Sequence, residues 1–327
     1  MKAVVNTKAG GPEVLEIQDR PAPEPNPSEV RIRVRCSALN RADISQRMGR
    51  YPAPPGSPVD IPGLEYSGEV DIVGTSVTMW KPGDRVMGIV GGGSHAELVT
   101  AHELEVMPMP GGMSFEDAAA IPEVFLTAYD AMFAQLRMIA GETLLIHAVG
   151  SGVGTAAVQM ARVSGIRTIG TSRSSDKLER ARQLGLDESI LGTDGEWPAK
   201  VLALTDNKGV DCVLDLVGAA YLQGNLESLR SRGRLVSVGL TAGAAATLDM
   251  RMMMRKRITM IGTVLRSRSH EEKAQLVEEF SAQMLPSFSK GDLEPIVDSV
   301  MSFDDIRGAH ERMESNETFG KVVLAWR

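Results

Sequence analysis

The sequence is poor in cysteine, in positive charge and in long apolar runs, and each shortage excludes a class of protein. Its two cysteines, Cys36 and Cys212, are too few and too far apart for a disulfide framework, so a reducing cytoplasm is the expected compartment. No apolar run approaches the roughly 20 residues of a membrane span, and the N-terminus lacks the apolar stretch of a signal peptide. A net charge of −7 argues against a nucleic-acid partner, because phosphate backbones attract basic surfaces.

The length of 327 residues suggests about two domains. The pattern of apolar residues changes along the chain in agreement with this number. The N-terminal third contains short alternating segments separated by proline and glycine, which predict β-strands. From Thr143 onward apolar strands alternate with helical segments, as in a parallel sheet covered by helices. After Ser267 we expect two amphipathic helices and a closing strand. The segments that carry these predictions are EVRIRVRCSAL, GEVDIVG, DRVMGIV, TLLIHAV, GTAAVQMARVSG and GKVVLAW.

The stretch HAVGSGVG, residues 147–154, joins an apolar strand to a segment with helical spacing. In a βαβ unit such a turn brings backbone N–H groups onto a pyrophosphate, and the helix adds its positive N-terminal end. The glycine spacing departs from the strict G-x-G-x-x-G pattern, and the glycines could serve a tight turn alone. The neighbouring strands and helix favour nucleotide binding. The candidate cofactor-binding residues here are Ser151, Gly152, Val153 and Gly154.

The end of the next strand carries hydroxyls and positive charge. NAD sites usually place a carboxylate about 20 residues after the glycine turn, where it binds the ribose 2′-hydroxyl. Here that place holds Ser172 and Arg173, with Lys177 one helical turn later. A cation with hydroxyls suits a 2′-phosphate, which favours NADP(H). The alternative is that both basic residues are solvated at the start of a helix.

An ordered set of segments along the whole chain resembles one known family. The chain is similar to the zinc-free quinone oxidoreductases of the medium-chain dehydrogenase/reductase superfamily, and most similar to their p53-inducible group. Each segment alone is modest evidence, whereas the ordered set is strong. The segments are NRADISQRMGRYPAPPG, PGLEYSGEV, KPGDRVMGIVGGGSHAELV, MPGGMSFEDAAAIPEVFLTAY, HAVGSGVGTAAVQMA and GKVVL.

The resemblance implies an α/β architecture with two domains. A GroES-like catalytic domain, an irregular β-barrel, would comprise residues 1–122 and 266–327. A Rossmann domain with a doubly wound parallel sheet, residues 123–265, would bind the cofactor. The resemblance places NADPH in the cleft between these domains and returns the C-terminal segment to the catalytic domain.

The resemblance also assigns later residues to the cofactor and to an interface. Backbone near Gly218 and Leu240, after two later strands, should pass the cofactor. The segment ITMIGTV, residues 258–264, should be the last strand of the Rossmann sheet and hence an edge. Because apolar edges are usually covered or paired, we expect a homodimer joined there.

Zinc relatives carry a cysteine and a His-Glu pair in two segments that this chain matches. Here the cysteine and histidine positions hold Asn40 and Leu64, and Glu65 remains without those neighbours. Since a catalytic zinc needs about three N or S ligands, no metal is expected. The cysteines lie in or beside strands, so packing is the better interpretation for both.

Four candidate catalytic residues come from the family match. Asn40 and Asp43 would lie beside the nicotinamide and the acceptor, where Asn40 could donate a hydrogen bond to developing charge. Asp43 is equally well explained as a residue that holds its loop. Tyr51 could donate a hydrogen bond or stack on a flat ring, or be an ordinary loop aromatic. Thr127 should face the nicotinamide, unless it is simply polar within a buried helix.

The resemblance implies two-electron reduction of a small molecule, either a quinone or an activated alkene. An NADPH:quinone oxidoreductase is the leading hypothesis. The alternatives are an enoyl or alkenal reductase and a non-catalytic NADPH-binding protein. Because no buried general acid is evident in the sequence, we expect direct hydride transfer with the proton taken from solvent or a nearby hydroxyl.

Overall fold

The computed structural model describes residues 1–326, which divide into two compact units. The first unit, here called the mixed-sheet unit, comprises Met1–Leu126 and the chain from Leu265 onward. The second, the parallel-sheet unit, comprises Thr127–Val264. The predicted divisions are 122/123 and 265/266. In the structure the first division lies within helix Pro122–Tyr129, four residues later than predicted, and the second lies one residue earlier. The catalytic and cofactor-binding roles of the two domains remain predictions.

The mixed-sheet unit combines antiparallel strands with one parallel pair. Its strands are β1 (Lys2–Asn6), β2 (Leu15–Asp19), β3 (Glu29–Ala38), β4 (Glu65–Val73), β5 (Arg85–Ile89), β6 (Leu98–His102), β7 (Val106–Pro108), β14 (Val297–Ser302) and β15 (Lys321–Ala325). The main sheet has the order β14-β15-β3-β4-β5-β7, β6 also pairs with β3, and β1 pairs with β2. Its helices are α1 (Arg41–Arg47), α2 (Phe115–Ala119), α9 (His270–Gln283), α10 (Leu285–Lys290) and α11 (Ile306–Glu314).

Strand β3 shows why this sequence forms the sheet. Val30, Ile32 and Val34 are buried in a cluster with apolar residues of β4 and β5, because alternate side chains of a strand point to one face. The intervening arginines lie on the other face, where Arg31 and Arg35 pair with carboxylates of β4. The alternation EVRIRV therefore determines which face of the strand is buried.

The parallel-sheet unit has the doubly wound architecture that the sequence predicts. Its strands are β8 (Thr143–Ile146), β9 (Arg167–Ser172), β10 (Glu188–Leu191), β11 (Val210–Asp215), β12 (Leu229–Ser237) and β13 (Thr259–Gly262). They pair in parallel in the order β10-β9-β8-β11-β12-β13. The order reverses between β8 and β11, and ligands of such sheets bind at the carboxyl ends of the strands at that point.

Helices connect the strands of the parallel sheet. They are α4 (Gly152–Val163), α5 (Ser175–Gln183), α6 (Trp197–Ala203), α7 (Leu222–Ser228) and α8 (Met250–Lys256), while α3 (Pro122–Tyr129) enters the unit and continues as a π-helical segment, Asp130–Gln135. Strand β13 is an edge strand, as the sequence predicts. The homodimer expected at that edge remains a prediction.

The C-terminal segment differs from the expected two helices and one strand. It contains α9, α10 and α11, and it adds strand β14 before α11. The residues of β14 are mostly half-buried and lack a clean apolar alternation, so the sequence pattern gave no strand signal there. Among residues 1–326, no helix is long and apolar enough to cross a membrane.

Candidate functional site

The glycine turn lies at the carboxyl end of β8, at the point where the strand order reverses. Ser151 is the N-cap of α4, and its hydroxyl accepts a hydrogen bond from the N–H of Gly154 at 3.1 Å. The other N–H groups of the first helical turn have no partner within the helix, as in any α-helix. The twelve-residue helix thus presents donors and the positive end of its dipole to a phosphate.

Two backbone features hold this turn in its shape. Ala148 has a φ of 51°, in the left-handed region that few non-glycine residues adopt. A Cβ on Gly154 would lie 2.6 Å from the carbonyl oxygen of Ala148, so any side chain would displace the turn. Gly154 is therefore required by close packing of the helix against the turn.

The predicted 2′-phosphate residues follow β9. Ser172 is half-buried and its hydroxyl accepts the N–H of Ser174 at 3.2 Å, while Arg173 is exposed. Ser174 in turn caps α5 by accepting the N–H of Lys177. Residues 171–174 contain no carboxylate. The end of β9 therefore carries hydroxyls and Arg173 without a carboxylate, and Asp176 lies beyond it in the first turn of α5.

The two later stretches predicted to pass the cofactor lie side by side. Gly218 has a φ of 89°, and a Cβ there would lie 3.0 Å from the Cα of Leu240. Backbone hydrogen bonds join the stretches, from Ala242 N to Val217 O and from Ala219 N to Gly243 O. Leu240 is exposed, so it is open to a ligand.

A buried polar network joins the ends of β8, β9 and β11. His147 lies 2.8 Å from Thr171 Oγ1 through Nδ1 and 2.6 Å from Asn225 Oδ1 through Nε2. The Asn225 amide donates to Asp215 Oδ2, and Asp215 Oδ1 accepts the N–H of Gly218. Burial lowers the pKa of His147 to about 4, so the ring is neutral at pH 7. Its single proton belongs on Nε2, facing the amide oxygen.

This network sets the relative positions of the loops that carry the predicted cofactor residues. Ring contacts hold His147 from outside, with Trp197 and Tyr221 each 4.7 Å away between centroids. The sequence shows a histidine beside the glycine turn, and the structure shows it buried between Thr171 of β9 and Asn225 of α7.

In the mixed-sheet unit, Asp43 is fully buried, and its carboxylate binds two backbone N–H groups. Its carboxylate accepts the N–H of Asn40 at 2.7 Å, capping α1, and the N–H of Gly63 at 2.9 Å. Burial raises the pKa of Asp43, and these two donors offset part of the rise. His95 Nε2 lies 3.8 Å from Asp43, but burial lowers the His95 pKa to about 3, so that contact is not an ion pair at pH 7.

Asn40 and Glu65 converge on the ammonium group of Lys321, which begins β15. Lys321 Nζ lies 2.7 Å from Asn40 Oδ1, 2.7 Å from Glu65 Oε1 and 2.6 Å from the carbonyl oxygen of Leu39. The Asn40 amide also donates to Glu65 Oε1 at 2.9 Å and to Ala38 O at 3.3 Å. We call Lys321, Asn40 and Glu65 the Lys321 cluster.

The contacts of the Lys321 cluster use the amide hydrogens that Asn40 was expected to offer to an acceptor. Both of its amide hydrogens are already directed at protein oxygens, so in this arrangement none is directed at an acceptor. The cluster is buried, with 4% of the Lys321 side chain and none of the Glu65 side chain exposed. The GKVVL segment contains the lysine, but its sequence alone does not show which residues the lysine meets.

Tyr51 lies against a buried arginine that sequence reasoning did not identify. The Arg266 guanidinium is 5.0 Å from the centre of the Tyr51 ring, and it donates to Tyr51 O, Gly91 O and Gln46 Oε1. Burial raises the pKa of the Tyr51 phenol, and the guanidinium opposes that rise. Arg266 thus fixes three segments of the mixed-sheet unit and places a permanent positive charge beside the ring.

Thr127 lies in α3 and is half-buried. Four residues earlier in the same helix is Glu123, whose backbone N–H donates to Glu65 Oε2 at 2.8 Å. The start of α3 is therefore tied to the Lys321 cluster.

Within the described chain, no group of three or more histidine, cysteine, aspartate or glutamate side chains could hold a metal ion. The positions that would carry zinc ligands hold Asn40 and Leu64, and Asn40 is bound to an ammonium group. Cys36 and Cys212 are buried free thiols, and burial raises the pKa of each to about 12. Both are therefore packing residues rather than reactive thiols.

Two family models match the chain, in two successive segments. Residues 26–111 match the alcohol dehydrogenase GroES-like domain, and residues 152–282 match the zinc-binding dehydrogenase family. The quinone oxidoreductase of Pseudomonas aeruginosa is 34% identical over 320 residues, which cover 96% of each chain. The GroES-like assignment confirms the predicted fold of the N-terminal part.

Solved structures resemble the chain over nearly its full length. An NAD-dependent alcohol dehydrogenase has a TM-score of 0.87 at 35% identity and covers 99% of both chains. The Escherichia coli quinone oxidoreductase complexed with NADPH has a TM-score of 0.88 at 27% identity, covering 99% of this chain and 100% of that one. The CurK enoyl reductase has a TM-score of 0.88 at 26% identity, covering 100% and 99%.

Proposed function

Because the chain belongs to the quinone oxidoreductase family of the medium-chain dehydrogenase/reductase superfamily, we propose that it reduces a quinone with NADPH by two-electron hydride transfer. It is an oxidoreductase of that superfamily, and the proposal concerns its cofactor and acceptor. The observation that carries the choice of cofactor is the set Ser172, Arg173 and Lys177 where NAD sites place a carboxylate. The finer relation to the p53-inducible group remains a prediction.

The parallel-sheet unit supplies the groups that would hold the cofactor. Ser151, Gly152, Val153 and Gly154 would bring the N-terminus of α4 to the pyrophosphate. Arg173 and Lys177 would bind the 2′-phosphate, and the backbone at Gly218 and Leu240 would border the nicotinamide half. When bound, NADPH would supply the hydride. The protein must then hold and orient NADPH and the acceptor, and exclude water from the site.

The mixed-sheet unit supplies the groups proposed to act on the acceptor. Tyr51 would contact the flat ring, and Arg266 beside it would stabilise negative charge that develops on the acceptor oxygen. Asn40 and Asp43 would act by holding the site, because the contacts of both are made within the protein. Thr127 remains the residue predicted to face the nicotinamide.

The absence of a zinc requirement belongs to this proposal. A buried ammonium group already neutralises Glu65, the acidic residue that the chain shares with zinc relatives. Elemental analysis and activity in a chelator test it: stoichiometric zinc whose removal abolishes turnover would overturn this part.

A panel of acceptors with each cofactor tests the function. We expect NADPH to be oxidised by a quinone with a stoichiometry of one, and NADH to be used much less well. Enoyl thioesters and enones test the second candidate, which the structural neighbour CurK enoyl reductase favours. NADPH binding without turnover on any acceptor would instead indicate a non-catalytic binding protein, and a preference for NADH would overturn the assignment of Arg173.

A further inference from the structure

Tyr221 places its phenol oxygen at the carboxyl ends of β9 and β10. A Cβ on Gly192, the residue after β10, would lie 3.7 Å from Tyr221 Oη and 3.9 Å from the carbonyl oxygen of Ser172, the last residue of β9. The N–H of Gly192 donates to that same carbonyl at 2.9 Å. The phenol oxygen is therefore close to the segment that carries the predicted phosphate-binding residues Ser172 and Arg173.

The glycine at position 192 leaves the phenol oxygen open on this side. Apart from its chain neighbours, the Cβ position of Gly192 has only the two oxygens just named within 4 Å among residues 1–326. The φ of Gly192 lies outside the left-handed region, so the backbone conformation does not require glycine there. Within the described chain, no hydrogen bond reaches the Tyr221 hydroxyl, which therefore remains available to a ligand.

Aromatic neighbours hold the Tyr221 ring in one orientation. It stacks on Trp197 of α6, with 5.2 Å between centroids and 26° between planes. His147 meets the same ring nearly at right angles, with centroids 4.7 Å apart, and belongs to the buried polar network of this unit. The backbone N–H of Tyr221 donates to the carbonyl of Gly218 at 2.8 Å. Because the ring is already ordered, binding through its hydroxyl loses little conformational entropy.

The Tyr221 hydroxyl is a hydrogen-bond donor at neutral pH. Burial raises the pKa of the phenol above its ordinary value, while Arg173 opposes the rise and Asp215 adds to it, so the group keeps its proton at pH 7. A phenol donates one hydrogen bond, and hydrogen bonds to an ionised acceptor are roughly twice as strong as those between neutral groups. The hydroxyl is therefore better suited to a phosphate oxygen than to a neutral ribose hydroxyl.

We propose that Tyr221 is a specificity-determining residue whose hydroxyl donates a hydrogen bond to the 2′-phosphate of NADPH. This inference rests on the proposed function, because it adds a residue to the proposed cofactor site. The contact would come from the segment between β11 and α7, whereas Arg173 and Lys177 follow β9. The phosphate would thus meet an exposed cation from one segment and a donor of fixed direction from another.

The test titrates wild type, Tyr221→Phe and Tyr129→Phe with adenosine 2′,5′-bisphosphate and with 5′-AMP, which lacks the 2′-phosphate. Tyr221→Phe should bind the bisphosphate and NADPH about tenfold more weakly, because one hydrogen bond to a charged group is lost while the ring remains. Its affinity for 5′-AMP and NADH should not change. Tyr129→Phe removes a hydroxyl elsewhere in the parallel-sheet unit and should keep the wild-type ratio of affinities. Thermal unfolding establishes that both variants are folded.

The outcomes separate this inference from the proposed function. Unchanged affinity of Tyr221→Phe for the bisphosphate would overturn the role of Tyr221. An equal loss for the bisphosphate and 5′-AMP would also overturn it, because the hydroxyl would then contact the adenosine that both share. Wild type that binds NADH as tightly as NADPH would refute the proposed cofactor instead. A preference for NADPH that falls in Arg173→Ala and persists in Tyr221→Phe would refute the role of Tyr221 alone.

Discussion

The glycine turn takes its functional groups from residues 147–154, whereas the Lys321 cluster joins Lys321 to Asn40, 281 positions earlier in the chain. The turn consists of neutral backbone, whose N–H groups are proposed to bind a pyrophosphate. The cluster consists of buried charges that satisfy one another. The glycine turn depends on local backbone geometry, whereas the Lys321 cluster depends on charge balance. We therefore expect substitutions in the two regions to change stability and cofactor binding differently.

The largest effect should come from removing the cation of the cluster. Lys321→Met leaves the Glu65 carboxylate buried without its partner, which costs about 3–5 kcal/mol in the free energy of unfolding. Urea unfolding of the cofactor-free protein measures this loss. The double variant Glu65→Gln/Lys321→Met should recover most of it, because the charge is gone and an oxygen remains for the N–H of Glu123. A single variant as stable as wild type would show that the cluster contributes no charge balance.

A smaller effect should come from the backbone of the turn. Gly154→Ala places a Cβ 2.6 Å from the carbonyl oxygen of Ala148, and such overpacking costs about 1–3 kcal/mol. Thermal unfolding measures the cost, and NADPH titration should show weakened binding. Gly262→Ala is the control in the same unit, because its Cβ would meet nothing within 4 Å. Equal stability of the two variants would mean that the turn tolerates a side chain.

The smallest effect on stability should come from Arg173. Its side chain is exposed, and surface substitutions usually change stability by less than about 0.5 kcal/mol. A charge-assisted hydrogen bond to phosphate is worth roughly 1.5–3 kcal/mol, so Arg173→Ala should weaken NADPH binding by tens of fold. NADH binding should barely change, and Arg182→Ala, farther along α5, should affect neither. A parallel loss of NADH affinity would contradict a role at the 2′-phosphate.

The sequence predicted those features whose residues are adjacent in the chain. The strand, glycine turn and helix at 143–163 could be recognised because one βαβ crossover contains them all. The apolar alternation of β3 likewise predicted a strand, and the apolar segment before Val264 predicted the edge strand β13.

The contacts of the mixed-sheet unit could not be predicted in this way. Lys321, Arg266 and Glu123 lie in three distant segments, and no local pattern distinguishes them from surface charges. Their contacts arise only when strand pairing and burial bring distant segments together. Asn40 shows the consequence for a matched motif: the position was identified, but the hydrogen bonds that occupy its amide come from Glu65 and Ala38.

Strand β15 lies between β14 and β3 in the main sheet. On the ribosome, β3 therefore emerges long before β15, which pairs with its residues 36–38, and the entire parallel-sheet unit is synthesised in between. That unit is continuous in sequence. Residues 29–33 of β3 pair with β6 in the meantime, whereas the edge at residues 36–38 stays unpaired. Unpaired strand edges are the kind of surface that chaperones protect and aggregation exploits. Translation thus completes the mixed-sheet unit last.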